Sequence, residues 1–442
     1  MRKTMMLGLS AAALAWTQVA GAQEATVGEA VAADYDAHLE DLFVHFHENP
    51  ELSFLETETA ARMASELRAA GLEVTEGVGG TGVVGMMRNG EGPLILLRAD
   101  MDGLPVEEKT GLPYASEATQ TGQDGAVYPV MHACGHDVHI TSMVGTARRL
   151  AAMRDAWSGT LMFVVQPAEE RVGGAKAMMA DGLYDRFGKP DYALAFHVTT
   201  LLPTGVVSAS ERIMYSSADS VEIMVPGVGA HGAAPHMGRD PVYIAAQIVT
   251  ALQSIVSRER PPLSPGVITV GSFHAGTKHN IISDRADLQL TVRANDEATR
   301  AQLLESIERI AVNIGRAHGL ADDMLPVMTV SEGTPVTNND PALARRLNAV
   351  MMETFGEDGF LPYEQTTMGA EDFSYFVTED SGVPGYYFGV GGTPPEAFAA
   401  AQAGGPPVPS HHSPLFKIAP RESVTRGTEA MVAAVLDLAP PG

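Results

Sequence analysis

Gly159-Thr160-Leu161-Met162-Phe163-Val164-Val165-Gln166-Pro167-Ala168-Glu169-Glu170 is the stretch that decides the fold. Its first seven residues are a short run of the β-branched, aliphatic and aromatic kind that a sheet buries on both faces. Pro167 cannot continue the hydrogen-bond ladder, and two adjacent carboxylates follow it at once. In isolation Glu169-Glu170 would be an ordinary solvated loop pair. Directly after a buried strand it reads as chemistry at a C-terminal strand exit, where open α/β sheets hold their ligands.

The same arrangement recurs on either side. A strand over Pro93–Ala99 ends in Arg98-Ala99-Asp100-Met101-Asp102-Gly103, and a strand over Tyr192–Phe196 is closed by His197. Between the strands lie stretches of helical periodicity, over Ala33–His47, Glu56–Ala70 and Asp137–Met153. Gly71 stands as the C-cap of the second, and Gly173 and Gly174 open a further helix. Strands alternating with helices, with reactive groups at the exits, predict an α/β fold with a largely parallel sheet covered by helices.

The segment Met131-His132-Ala133-Cys134-Gly135-His136-Asp137-Val138-His139 is the densest in ligand chemistry, holding three histidines, an aspartate and the only cysteine of the chain. A thiolate and an imidazole two residues apart, with a glycine between them to turn the backbone, can converge on one ion. Asp100, Asp102, Cys134, His136, Glu169, Glu170, His197 and, from far along the chain, His411 or His412 together suffice for two metal ions. Scattered carboxylates and imidazoles with one thiolate suit an open catalytic centre better than a structural zinc knuckle. Adjacent glutamates allow one to hold metal while the other moves protons.

After Pro203-Thr204-Gly205 the pattern changes to strand, helix, strand, strand, helix, strand: Ser220–Val225, Pro241–Arg258, Gly266–Phe273, Asp287–Ala294, Ala298–His318 and Leu325–Ser331. This β-α-β-β-α-β order predicts an α+β domain inserted over residues 213–330. The first domain then comprises residues 23–212 and 331–442, with helices at Pro341–Phe355 and Arg421–Leu438 and a strand at Gly385–Val390. Gly391–Ser410 is expected as a long surface loop delivering His411-His412-Ser413-Pro414. The inserted part offers a glycine-bracketed histidine, His231, along with Asn280 and Arg293, each also readable as ordinary loop or edge polarity.

The chain has 442 residues, 45% hydrophobic, and a formal charge of −25. Residues 1–22 carry the marks of an export signal: Arg2 and Lys3, an apolar run from Met5 to Trp16, and Ala20-Gly21-Ala22 for cleavage. Its loss brings the charge to −27 and disfavours nucleic acid or an anionic membrane as partner. The expected location is the periplasm or the medium, where cysteines pair. Cys134 has no cysteine to pair with, which favours metal ligation.

Taken together, Arg98-Ala99-Asp100-Met101-Asp102, His132-Ala133-Cys134-Gly135-His136-Asp137, Gln166-Pro167-Ala168-Glu169-Glu170, Phe196-His197-Val198, Ala230–His236, Met368-Gly369-Ala370-Glu371-Asp372-Phe373 and His412-Ser413-Pro414 resemble, in order, the M20 metallopeptidases. The resemblance is to their N-acyl-amino-acid amidohydrolase branch, which includes hippurate and indoleacetyl-amino-acid hydrolases. It implies two divalent ions per subunit, manganese or zinc, held by Cys134, His136, Glu170, His197 and His412. Glu169 would be the general base, His231 would steady the tetrahedral intermediate, and Asp102 would stand with the catalytic groups. The implied substrate is an N-acyl amino acid or short peptide. The implied assembly is a homodimer through the inserted lid, with His231 and Asn280 serving the neighbouring subunit. No arginine stands near Glu332 to Pro335, where some of the wider family grip the substrate carboxylate, so Arg293 takes that expectation with Asn280. The competing readings are a metallo-dipeptidase or carboxypeptidase and, in another class, a two-domain periplasmic binding protein without chemistry.

Overall fold

The computed structural model describes residues 25–442, and the expected export signal lies outside them. Eight strands form the larger sheet in the order Glu73–Val78, Gly82–Asn89, Gly159–Gln166, Leu94–Asp100, Tyr192–Pro203, Gly385–Thr393, Val207–Ala209 and Phe360–Pro362. The four inner strands from Gly159–Gln166 to Gly385–Thr393 are mutually parallel, and antiparallel pairs occur only towards the margins. Burial on both faces explains their unbroken apolar character. Ile95 and Leu97 enter one core with Phe43, Val144 and Val435, while Leu96 points into the other with Met178 and Phe376. The fold is thus α/β with a mostly parallel central sheet, as expected.

Register places the chemistry. Asp100 lies level with Gln166, so Asp102 and the Glu169-Glu170 pair leave the sheet side by side. His197 is level with Gly389 on the next parallel strand. Glu73–Val78 escapes the apolar-run criterion because it is an edge strand with three of its six residues exposed and is correspondingly polar.

The second sheet is fully antiparallel, in the order Gly266–Ala275, Arg285–Ala294, Ser217–Pro226 and Val327–Thr334. Helices Pro241–Ser254 and Glu297–Ala317 cover it, giving the β-α-β-β-α-β order and a separate core around Ile223, Ile248, Leu288 and Ile307. Each helix starts on an aspartate. Asp240 accepts from the Val242 amide at 3.0 Å and Asp296 from the Thr299 amide at 2.7 Å.

The stretch 391–410 is less of a loop than its composition predicts. Gly391 to Thr393 extend the preceding strand, and Pro395–Gln402 is a helix. Proline at its start and alanines through its body account for it.

Candidate active site

Three strand exits and one glycine turn assemble the site. Gly135 takes a left-handed φ of 88° at the N-terminus of helix His136–Ala152, and a Cβ there would meet Val198 Cγ1 at 2.4 Å. Only glycine serves at this position. The turn folds Cys134 back beside His136 while the helix fixes the imidazole. Ala168 and Val172, on either side of Glu169–Arg171, and His412 also have positive φ, strain of the kind found at functional sites.

Hydrogen bonds on the far side of each ring set the tautomers. His136 donates from Nδ1 to the Asp102 carbonyl oxygen at 2.8 Å, and His197 donates from Nδ1 to the Val198 carbonyl oxygen at 2.6 Å. Both rings therefore turn Nε2 inward, the nitrogen a ligating histidine would offer once deprotonated. His197 Nε2 lies 3.5 Å from Cys134 Sγ, and His411 Nδ1 lies 3.6 Å from the same sulfur. His136 Nε2 is 3.9 Å from Glu169 Oε2 and 3.9 Å from Glu170 Oε1, and His412 Nε2 is 3.4 Å from Glu170 Oε2. Cys134, His136 and His197 each offer one atom within 4.8 Å of the others, and so do Cys134, Glu170 and His412. Cys134 belongs to both groups.

The electrostatics favour a cation. Burial, then the charges of Glu371 and Glu170, push the Glu169 carboxyl well above the usual range; burial with Asp102 and Asp100 nearby pushes Glu170 up to about 8. Burial, with Glu170 and Glu169 adding to it, raises the Cys134 thiol. The imidazoles divide: burial holds His197 well below its ordinary value and takes His411 down to about 3, whereas at His136 burial is outweighed by the charges of Asp100 and Asp102, which push it up to about 10. Acids that resist ionising, beside His197 and His411 held neutral and a His136 drawn to its charged form by carboxylates, form a pocket that a divalent ion would relieve. The sharpest sign is that His136 Nε2 and Glu170 Oε1 are both buried and have no hydrogen-bond partner among the described residues. The donor set fits a metal centre.

Two other acidic or histidine groupings are already committed to protein partners. His139 uses both ring nitrogens, Nδ1 toward Asp100 and Nε2 accepting from the Val198 amide at 2.9 Å. Glu371 and Asp372 face the buried Arg98, whose Nη2 is 2.7 Å from Glu371 Oε1 and 3.3 Å from Asp372 Oδ1, while Nη1 is 2.6 Å from Asp100 Oδ2. Asp102 stays behind the site, accepting from the amides of Glu169 at 3.0 Å and Glu170 at 3.1 Å and from Ser53 Oγ at 2.6 Å.

A cavity of about 770 Å³ opens over this cluster, lined by Cys134, Glu169, Glu170, His197, His411 and His412 from below. Val267, Thr291 and Arg293 of the second sheet roof it. Of the residues singled out in the sequence, Asp100, Asp102, His136, His231 and Asn280 are not on its wall. His231 is exposed and its Nδ1 accepts from the Ala233 amide at 3.0 Å; Asn280 Oδ1 is buried without a partner. Sequence reasoning assigned nothing to Arg98, His139, Tyr215, Tyr363 or Glu371. For Arg98 there was a signal: a lone cation inside an apolar strand needs buried anions, and Glu371-Asp372 supplies them.

Comparison with known proteins agrees with this geometry. The description of Peptidase family M20/M25/M40 matches residues 96–403. The hippurate hydrolase of Campylobacter jejuni is 39% identical over 344 residues, covering 78% of this chain and 86% of that one. Thermostable carboxypeptidase 2 of Saccharolobus solfataricus is 37% identical over 349 residues, 78% of this chain and 83% of that one. Among solved structures, the YXEP protein of Bacillus subtilis, a dinuclear metal binding peptidase from the M20 family, superposes with a TM-score of 0.73 at 27% identity, covering 91% of this chain and 98% of that one. The chain belongs to the M20 peptidase family and is a metal-dependent amidohydrolase or peptidase.

Proposed function

We propose that the protein is an exported hydrolase that cuts the amide bond of N-acyl or N-aroyl amino acids, using two divalent ions, manganese or zinc. The observation that carries this reading is the buried, partnerless pair His136 Nε2 and Glu170 Oε1, 3.9 Å apart, with Glu169 Oε2 equally close to the same nitrogen. In it Cys134, His136, Glu170, His197 and His412 hold the ions. When bound, the ions polarise the amide carbonyl and lower the pKa of water.

The Glu169 side chain lies on the cavity wall and, among the described residues, its carboxylate accepts no hydrogen bond, which suits a general base. It takes the proton from the attacking water and passes it to the leaving amine. Asp102 acts from behind by fixing the two glutamate amides and the end of its own strand beside His136. The substrate carboxylate meets Arg293, whose Nε is held by Thr291 Oγ1 at 3.1 Å and whose terminal nitrogens have no hydrogen-bond partner among the described residues. Leu201, Leu202, Met214, Tyr363 and Met368 give the cavity an apolar side that suits a bulky acyl group. The inserted lid also forms a homodimer in this reading, and His231 and Asn280 serve the cavity of a second copy.

The test is a panel of hippurate, indoleacetyl-, acetyl-amino acid and dipeptide substrates against protein loaded with each metal in turn. Release of free amino acid from the acylated substrates supports the reading. Cleavage of peptides alone would favour the carboxypeptidase alternative, and release from none would defeat it.

A further inference from the structure

Glu56 ends the connection that leads into helix Thr57–Ala69, where a carboxylate ordinarily caps its own helix. It does not do so. That helix is capped by another side chain, Glu51, which accepts from the amides of Glu58 at 3.2 Å and Thr59 at 2.8 Å. The Glu56 carboxylate, fully buried, turns inward instead. Its Oε1 accepts from the Phe54 amide at 2.9 Å and from the Ala168 amide at 2.9 Å, and its Oε2 accepts from Thr81 Oγ1 at 2.5 Å.

Phe54 and Ala168 are two of the four non-glycine residues with positive φ among the described residues, at 62° and 49°. One carboxylate oxygen thus ties down two backbone positions in the left-handed region. The amide of Ala168 is followed by those of Glu169 and Glu170, both held by Asp102. Three consecutive amides are therefore gripped by two buried carboxylates just where the chain leaves the strand. A left-handed alanine does not persist unless its surroundings impose it.

We infer that Glu56 is a positioning residue: it holds Ala168 left-handed and so aims Glu169 and Glu170 at the cavity without touching substrate. The inference rests on the proposed roles of those two glutamates. It also explains the displaced cap, since Glu51 releases Glu56 from its own helix.

The experiment compares Glu56→Ala, Glu56→Gln, Ala168→Gly and the Glu56→Ala/Ala168→Gly double variant in metal-loaded protein. Amide hydrogen exchange at Ala168 should quicken at least about tenfold in Glu56→Ala while the strand Gly159–Gln166 stays protected. Its kcat should fall about 10²-fold with KM nearly unchanged, the cost of a misplaced catalytic group. Glu56→Gln keeps an acceptor oxygen for both amides and should stay within about threefold of the wild type. Glycine takes positive φ unaided, so the double variant should recover at least about tenfold over Glu56→Ala. A purely structural role would not be rescued that way. Unchanged exchange in Glu56→Ala, or a folded double variant with no recovery, overturns the inference. If Glu56→Ala loses protection throughout, Glu56→Gln decides, and a 10²-fold loss there overturns it as well. Should the wild type cleave none of the panel, the functional reading fails, and the exchange at Ala168 still judges the clamp.

Discussion

His136 and Asp102 are joined through an imidazole and a main-chain carbonyl: Nδ1 donates to the Asp102 oxygen at 2.8 Å, and Nε2 is left buried and unpaired. The Asp102 side chain completes the arrangement by holding the amides of Glu169 and Glu170. One residue thereby sets a ring and a loop at once. Asp102→Asn keeps the carbonyl but leaves one acceptor oxygen where two amides and Ser53 need both. Metal affinity or activity should drop about 10- to 100-fold. Titration of the metal-free variant with manganese or zinc checks it, and wild-type affinity together with wild-type activity would contradict it.

Glu169 and Glu170 are neighbours with different surroundings, so their amide variants should part company. Glu169→Gln keeps shape but cannot accept a proton. Its rate should fall roughly 10²–10⁴-fold with metal content intact. Glu170→Gln removes a charge beside His136 and His412, so metal should be lost and excess metal should partly restore the rate. Metal analysis of both proteins separates the roles, and the opposite pattern would exchange them.

Much of this centre was legible because strand exits and ligand types coincide in the chain: Asp100 and Asp102, Glu169 and Glu170, and His197 each follow an apolar run. What the chain order hides is who answers whom across it. Arg98 and Glu371 are 273 positions apart and meet at 2.7 Å, and no local periodicity announces such a pair. The edge strand Glu73–Val78 is similarly silent because exposure removes the hydrophobic pattern. The choice between His411 and His412 turns on a left-handed φ of 66° at His412, which aims one ring toward Glu170 and leaves the other against Cys134.

Cys134 gives a chemical reporter for bound metal. A ligand thiolate is shielded from alkylating reagents, so labelling should be negligible in the loaded protein. After chelation the thiol is released but stays protonated, because burial and the charges of Glu170 and Glu169 raise it. Labelling should then appear and quicken as pH is raised into the alkaline range. Equal labelling with and without chelator, read by mass spectrometry, would remove Cys134 from the ligand set.

His47 links the first helical segment to helix His136–Ala152, with Nδ1 at 2.7 Å from Asp137 Oδ2 and Nε2 at 3.3 Å from Glu108 Oε1. Burial alone would lower its pKa, but the bonds to Asp137 and Glu108 and their charges outweigh that and push it up to about 9. A folded value above the unfolded one means the imidazolium stabilises the fold fully below about pH 6.5. That contribution, on the order of 3 kcal/mol at most, is lost as pH rises through about 9. Denaturant unfolding of chelated protein should show the decline between these pH values, and His47→Gln should flatten it. A variant with the same pH slope as the wild type would contradict this.

Arg293 is the cation on the roof of the cavity, and its role shows in which substrates suffer when it is removed. It reaches the wall from a strand of the second sheet, half-buried, with Nε occupied by Thr291 and its two terminal nitrogens uncommitted among the described residues. A planar fork with two free donors matches a carboxylate better than a lysine would. Arg293→Leu keeps much of the aliphatic bulk and removes the fork. If Arg293 binds the carboxylate equally in ground and transition states, KM for N-acyl amino acids should rise about tenfold or more while kcat changes little. Substrates whose carboxylate is replaced by a carboxamide should bind the wild type poorly and be nearly indifferent to the substitution. Arg293→Lys should recover only part of the affinity. Equal losses for carboxylate and carboxamide substrates would show that the side chain supports the roof without reading the substrate's charge.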